Sequence, residues 1–222
     1  MELIFLLCCE SVLDFSVLDY QYYNSLGLSV LDATFSTTAK YGAVENVLIR
    51  FWDQYGLSNE TFSALPAVEV QTTVSQIMEQ VQDITPAQFA EQVQNRSRVG
   101  GRLKAALFLD CLAVMHEFGI ETYQDFQARM DNPELEAALS ALRGMGEVTL
   151  SYLYMLSGDS GNVKVDRHIR AFATAATGVP DLTLDQIRHL FQHAAREMSA
   201  NDHPRITVRH LDHIVWVYQS GF

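Results

Sequence analysis

The sequence predicts an all-α fold, and two observations carry that prediction. Apolar residues recur every three or four positions along most of the 222 residues, which is the spacing of one helix face. Serine, threonine, aspartate or asparagine precedes these stretches and glycine or proline follows them, as helix caps do. With 48% hydrophobic and 19% charged residues, the chain has the composition of a globular protein of one domain or two small lobes.

Ten or more helices and no convincing strand are expected along the chain. Residues 3–9 are apolar, but acids flank them and the run is too short to span a bilayer, so a buried helix or strand and no membrane partner are expected. Two helical patterns between Leu28 and Tyr55 break near Gly42. After a loop over 56–72 and a short helix, Thr85-Pro86-Ala87-Gln88 forms a capping box. Further helices are predicted to begin after Thr122, Asn132, Thr183 and Thr207.

A basic, glycine-containing loop lies in the middle of the chain. Residues 95–104 hold four bases, two glycines and no acid, and they lead directly into an apolar helix over 105–118. Backbone amides at a helix start favour an anion, so the loop is a candidate phosphate site. The alternative is a solvated loop whose arginines pair with nearby carboxylates. The candidate ligands are Arg96, Arg98, Arg102 and Lys104.

The stretch over 135–172 carries the most specific pattern. Helical spacing on both sides of Gly144-Met145-Gly146 predicts two helices joined by a very short turn. The glycines permit positive φ, and the amides from Gly144 to Glu147 lie at the positive end of the second helix dipole, where a phosphate fits. Asp166 follows 20 residues after Gly146, at the start of another helix. The alternative to a functional role for this acid is an N-cap.

This arrangement resembles the helix-hairpin-helix DNA glycosylase superfamily, in particular its endonuclease III-like members. The resemblance rests on Leu142, on Gly144-Met145-Gly146 as the family's G-V-G turn, and on Val165-Asp166-Arg167-His168 as its V-D-x-H. It implies a two-lobed helical bundle in which the hairpin amides grip a DNA phosphate. It also implies that Asp166 supports cleavage of a base-to-sugar bond, as in base excision repair, after a nucleotide is extruded from the duplex.

Departures from the family pattern limit the reactions and cofactors that the resemblance implies. Val148 stands where lyase-competent members carry lysine, which excludes a Schiff-base mechanism through that position and predicts a monofunctional N-glycosylase without AP-lyase activity. Arg143 stands where many members carry proline. Cys8, Cys9 and Cys111 do not form the closely spaced pattern of an iron–sulfur cluster, and no cofactor is expected.

Six residues are candidates for the base pocket. Two threonines lie where the family's early helix meets its DNA-facing loop, although helix-end capping is the alternative. Two tyrosines on the second hairpin helix could stack on an extruded base, although core packing is the alternative. A lysine and a histidine flank Asp166, and the lysine either keeps that carboxylate ionised or is plain surface charge. The candidates are Thr37 and Thr38, Tyr152 and Tyr154, and Lys164 and His168.

The histidine pairs and Trp52 do not indicate a further functional site. The pairs His189 with His193 and His210 with His213 each share a helix face but lack an evident third ligand, so no metal site is predicted. Trp52 lies on an apolar helix face and is predicted to be core.

The net charge of −12 disfavours DNA as a partner, because a polyanion usually requires a basic surface. The acidity is concentrated, however: residues 1–95 hold 12 acids and 2 bases, whereas 96–222 hold 15 acids and 13 bases. A basic face on the second half therefore keeps DNA as the expected partner. Two alternatives stay open, namely a non-catalytic helical module that binds nucleic acid or protein, and an N-glycosidase of free nucleosides or nucleotides.

Two lobes are expected in the tertiary structure. One comprises about 28–142 with the hairpin at 135–158, and in the other 1–27 pack together with 159–222. Because the apolar run at residues 3–9 has the flanks of neither a signal peptide nor a membrane span, the protein is expected in the cytoplasm with reduced thiols. Nothing in the sequence indicates an oligomeric state.

Overall fold

The computed structural model describes residues 1–16, 21–201 and 203–221, and it is mostly helical, which confirms the all-α prediction. In those ranges there are twelve α-helices, one short 3₁₀ turn and four two-residue strands. The helices are α1 (Glu2–Val12), α2 (Leu26–Ser36), α3 (Tyr41–Tyr55), α4 (Val74–Val81), α5 (Pro86–Gln92), α6 (Lys104–Glu117), α7 (Tyr123–Gln127), α8 (Pro133–Ala141), α9 (Glu147–Leu156), α10 (Arg167–Thr177), α11 (Leu184–Ala200) and α12 (Val208–Ser220); the strands are β1 (Tyr22–Tyr23), β2 (Thr61–Phe62), β3 (Arg98–Val99) and β4 (Arg102–Leu103).

The strands correct the expectation of a chain without β-structure. β1 pairs antiparallel with β2, and β3 pairs antiparallel with β4 across Gly100-Gly101. Two-residue strands are too short to show alternation, so periodicity cannot reveal them. The basic loop predicted over 95–104 is therefore a small β-hairpin that leads into α6.

The chain forms two compact units. The first comprises Met1–Tyr20 and Asp159–Phe222, and the second comprises Gln21–Gly158. The sequence placed the earlier boundary near residue 27. The structure places it near residue 20, because β1 pairs with β2 and thereby joins 21–27 to the second unit.

The second unit is built around α2. This helix is buried from Leu26 to Phe35 and packs against α3, α6 and α9. Because α2 is buried on all sides, its polar residues included, it lies inside the core of this unit. The hairpin helix α9 is therefore held against the centre of the unit, which fixes the orientation of the turn that precedes it.

The first unit consists of α1 and α10–α12. Phe5 and Cys9 of α1 join its core, whereas Leu3, Ile4 and Leu7 are exposed, so the expectation of a buried apolar run holds for only one face. α10 packs against α12, and α1 packs against α10 and α11. Throughout the described ranges, none of the helices combines the length and apolar character that a membrane span requires.

Candidate phosphate clamp and carboxylate site

The glycine turn between α8 and α9 spans 142–146, and only the first of its two glycines adopts the positive φ that the sequence allowed for both. Gly144 adopts a φ of +102°, and the Met145 amide donates to the Leu142 carbonyl at 2.9 Å. Gly146 is the N-cap of α9 and supplies no side-chain cap. A Cβ at Gly146 would meet nothing within 4 Å, so the start of α9 opens onto free space. Backbone amides in this setting can receive an anion.

Two residues of the predicted clamp have other roles. The Met145 side chain is buried and its amide closes the turn, so Met145 anchors the loop and leaves the set of phosphate ligands. Glu147 is exposed at the first position of α9. Its carboxylate suits the helix dipole but repels a phosphate, which leaves only its amide as a potential contact.

The basic β-hairpin lies directly against the glycine turn. A Cβ at Gly100 would approach the Gly144 Cα and N to 3.1 Å, and a Cβ at Gly144 would lie 2.9 Å from Val99 Cγ1. Arg143 Nε donates to the Gly100 carbonyl at 2.6 Å. The structure thus brings together the two stretches in which the sequence indicated phosphate binding.

The arginines of this joined surface divide into two pairs. Arg96 pairs with Glu91, and Arg102 pairs with Asp110 at 2.6 Å, as the solvated-loop alternative predicts. Arg98 donates to the Gly101 carbonyl at 3.1 Å and Arg143 to that of Gly100, and within the described ranges neither lies in an ion pair. The positive charge available to a phosphate therefore comes from Arg98 and Arg143.

Lys104 does not belong to this surface. It is 2% exposed, and its Nζ donates to the Phe35 carbonyl at 2.8 Å and to the Thr37 carbonyl at 2.5 Å. Lys104 is therefore removed from the candidate phosphate ligands, because its ammonium group is enclosed at the carboxyl end of α2, where a helix dipole favours a cation.

Replacing Lys104 tests this assignment. Lys104→Met leaves two carbonyls near the end of α2 without their donor, so we expect the free energy of unfolding to fall by about 2–4 kcal/mol. Should the chain bind DNA, the salt dependence of that binding should not change. Urea denaturation and DNA titrations of the same preparation measure both quantities. A smaller salt dependence with unchanged stability would restore Lys104 as a phosphate ligand.

Asp166 is the N-cap of α10 in the first unit. Its Oδ1 accepts from the His168 amide at 2.8 Å and from the Ile169 amide at 3.2 Å. The side chain is partly buried, and no hydrogen bond to Oδ2 is found within the described ranges. One oxygen thus positions the carboxylate while the other can face a reacting group or a water.

The sequence did not identify Asp212, a buried acid close to Asp166, as a site residue. Asp212 on α12 is 5% exposed, and its Oδ1 accepts from the Lys164 amide at 2.8 Å. The Arg209 amide of the same helix donates to the Ser160 carbonyl at 3.2 Å, so α12 holds the segment that leads to Asp166 at two points. Burial raises the pKa of Asp212 to about 8, and the nearby Asp166 raises it further while the Lys164 amide lowers it.

This raised pKa makes stability depend on pH. A carboxyl whose pKa is higher in the folded than in the unfolded chain stabilises the fold below the unfolded pKa of 3.8, and that contribution is lost as the pH rises to about 8. Relative to Asp212→Asn, the wild type should therefore lose stability between pH 4 and pH 8, by at most about 1.4 kcal/mol per pH unit. Urea denaturation across this range measures it. Parallel stability curves would contradict the assignment.

The predicted pocket residues lie in different places. Tyr152 approaches Asp32 of α2, with its hydroxyl 3.4 Å from Oδ2, whereas Tyr154 is buried with its ring edge-on to Phe126 at 5.1 Å. Tyr154 is therefore part of the core, as the alternative interpretation expected. Asp32 is 1% exposed and also accepts from Tyr23 at 2.8 Å and from Ser36 at 2.7 Å.

The other pocket candidates are tied into local structure. Thr37 Oγ1 lies 2.9 Å from Thr149 Oγ1 of α9, and Thr38 is exposed with a φ of +53°. His168 Nε2 accepts from the neighbouring Arg167 at 3.1 Å. Lys164 and His168 belong to the first unit with Asp166, whereas the threonines and tyrosines belong to the second.

The histidine pairs reach different partners. His189 of α11 pairs with Glu2 at 2.8 Å, and His210 takes part in the capping box of α12 with Thr207. Among residues 1–16, 21–201 and 203–221, no three metal-binding side chains converge on a common point.

The fold and the site define an all-α protein with a glycine-linked helical hairpin that contacts a basic β-hairpin. A family model described as a domain of unknown function (DUF8548) matches residues 7–220, so the chain belongs to that family. No match was found among curated proteins or among solved structures.

Proposed function

We propose that this protein is a monofunctional DNA N-glycosylase of the helix-hairpin-helix type. The observation that carries the proposal is the contact between the glycine turn and the basic β-hairpin, where Gly100 and Gly144 approach closely enough to exclude a Cβ. Arg98 lies on that β-hairpin and Arg143 on the turn that leads into the open start of α9. This concentration of donors favours a phosphate despite a net charge of −12.

The clamp would hold the DNA backbone on the hairpin. The amides at the start of α9 would face one phosphate, and Arg98 and Arg143 would add charge beside it. These contacts involve no base edge, so the clamp would bind without sequence preference. The choice of base would then depend on the pocket that receives an extruded nucleotide.

Asp166 would act on the sugar. As the bond from the anomeric carbon to the base nitrogen breaks, its electron pair leaves with the base and positive charge develops on the sugar. The Oδ2 of Asp166 would stabilise that charge or orient the attacking water, whose oxygen adds to the anomeric carbon while one of its protons is transferred, through Asp166 or solvent, to the departing base. Val148 cannot form a Schiff base, so the reaction would end at an abasic site.

A non-catalytic nucleic-acid-binding module is the second candidate. The observation that favours it is the N-cap made by Asp166, since capping alone accounts for an aspartate at this position. Both candidates share the clamp and differ only in base release.

DNA binding tests the clamp that both candidates require. If Arg98 and Arg143 each neutralise one phosphate, the logarithm of the binding constant should fall with the logarithm of salt concentration with a slope of about −2. Arg98→Gln and Arg143→Gln should each reduce the magnitude of that slope by about 1. Lys40→Gln, which removes an exposed base outside the clamp, is the matched control. Binding that is absent, or that responds equally to all three variants, would contradict the proposal.

A further inference from the structure

A cavity lies beside α3, within the second unit. Its volume is about 410 Å³, which is the size of a small-ligand site. Tyr41, Glu45, Ile49 and Trp52 line it from α3, and their spacing of four, four and three residues places them on one helix face. Tyr23 of β1 adds another wall. Trp52, which the sequence predicted as core, is thus only partly buried.

Three aromatic side chains, Tyr23, Tyr41 and Trp52, line this cavity. The rings of Tyr23 and Trp52 lie 6.4 Å apart at 58°, so they are inclined to each other and do not stack face to face. Tyr41 hydrogen-bonds Tyr23, and burial raises the pKa of both phenols above the ordinary value, so both remain neutral. The face of a neutral aromatic ring carries partial negative charge.

The charges around the cavity have one sign. Among the described residues that line it, Glu45 carries the only formal charge, and its carboxylate is exposed. Behind Tyr23, the buried Asp32 accepts hydroxyl hydrogen bonds from Tyr23 and Ser36, as an ionised carboxylate does. Aromatic faces and carboxylates together favour a cation.

We propose that this cavity binds a small quaternary ammonium compound. A bare ammonium ion would need several hydrogen-bond acceptors, whereas a methylated one is weakly hydrated and packs its methyl groups against ring faces. Choline is a compound of this class. This inference does not depend on DNA binding.

Fluorescence of Trp52 tests the proposal. The chain has two tryptophans, so Trp216→Phe leaves Trp52 as the sole indole reporter. Choline and its neutral isostere 3,3-dimethyl-1-butanol are titrated in parallel. We expect saturable quenching by choline and at least about tenfold weaker binding of the neutral alcohol, because only the cation gains from the rings and the carboxylate.

Two variants in the Trp216→Phe background test whether the carboxylate in the cavity contributes to binding. Glu45→Gln should reduce the preference for choline several-fold, whereas Asp53→Asn, which removes a charge from the same helix outside the cavity lining, should leave it unchanged. Equal affinity for the two compounds, absence of saturable binding, or the same loss in both variants would overturn the proposal. Isothermal titration of the wild type with choline checks that Trp216→Phe has not altered the site.

Discussion

Asp166→Asn is expected to lower the rate of base release from DNA by on the order of 10²–10³ without unfolding the protein. The substitution removes the negative charge that would stabilise the sugar cation, but it keeps an oxygen that can accept from the His168 and Ile169 amides. Asparagine and aspartate are comparable N-caps, so the free energy of unfolding should change little. Single-turnover release of the base and urea denaturation measure the two effects.

Asp166→Ala provides the matched comparison. It removes the charge and the cap together, so it should lose activity to the same extent and also about 1 kcal/mol of stability. If Asp166→Asn retains full activity while Asp166→Ala is merely less stable, the residue is a cap only. The non-catalytic module would then be the better account of the protein.

Gly144→Ala should have the largest structural effect of the hairpin substitutions, a loss of about 2–3 kcal/mol in the free energy of unfolding. A φ of +102° is unfavourable for any residue with a Cβ, and the added carbon would lie 2.9 Å from Val99 Cγ1 and 3.3 Å from the Val99 carbonyl oxygen. The β-hairpin would have to move away from the turn. DNA affinity should fall with it, because the arginines would no longer lie beside the start of α9.

Gly146→Ala is the control for that substitution. Gly146 has a φ of −90°, and an added Cβ would meet nothing within 4 Å. Only the difference in capping between glycine and alanine remains, so the stability should change by less than about 1 kcal/mol. Chemical denaturation of both variants measures the contrast. Equal losses would show that the contact between Gly100 and Gly144 does not hold the two turns together.

The helices could be predicted well from the sequence, because caps and apolar periodicity are local signals. The capping box of Thr85 and Gln88 and the caps at Asn132 and Thr183 are formed as predicted. The ladders β1–β2 and β3–β4 could not be predicted, since strands of two residues have no period. Their pairing depends on tertiary contacts, which a single sequence does not display.

The site could be predicted in part. The glycine turn and the basic stretch were both recognisable, but their contact through Gly100 and Gly144 was not, because it joins residues 44 positions apart. Lys104 belonged to the basic stretch by composition, yet burial assigns it to the carboxyl end of α2. Basic residues that are close in the sequence can thus differ in exposure when one of them, here Lys104, lies on the inward face of a helix.

The buried positions of Asp212 and Asp32 could have been predicted from the helix periodicity of the sequence. Asp212 stands with Val208, Leu211 and Val215 at the spacing of one helix face, so a carboxylate lies in an apolar stripe. Asp32 occupies the same kind of position in α2. Since a buried ionisable group requires hydrogen-bond partners, such positions indicate polar networks, here those around the segment before Asp166 and around Tyr23.

Release of a free base is the decisive assay for the proposed glycosylase. Duplexes that carry a deaminated, an alkylated or an oxidised base are incubated with the wild-type protein, and the products are separated and identified by mass spectrometry. A monofunctional glycosylase should release a free base from at least one duplex and leave an abasic strand that stays intact until alkali is added. Release of no base from any duplex would contradict that expectation, and cleavage of free nucleosides under the same conditions would assign the activity to that substrate class instead.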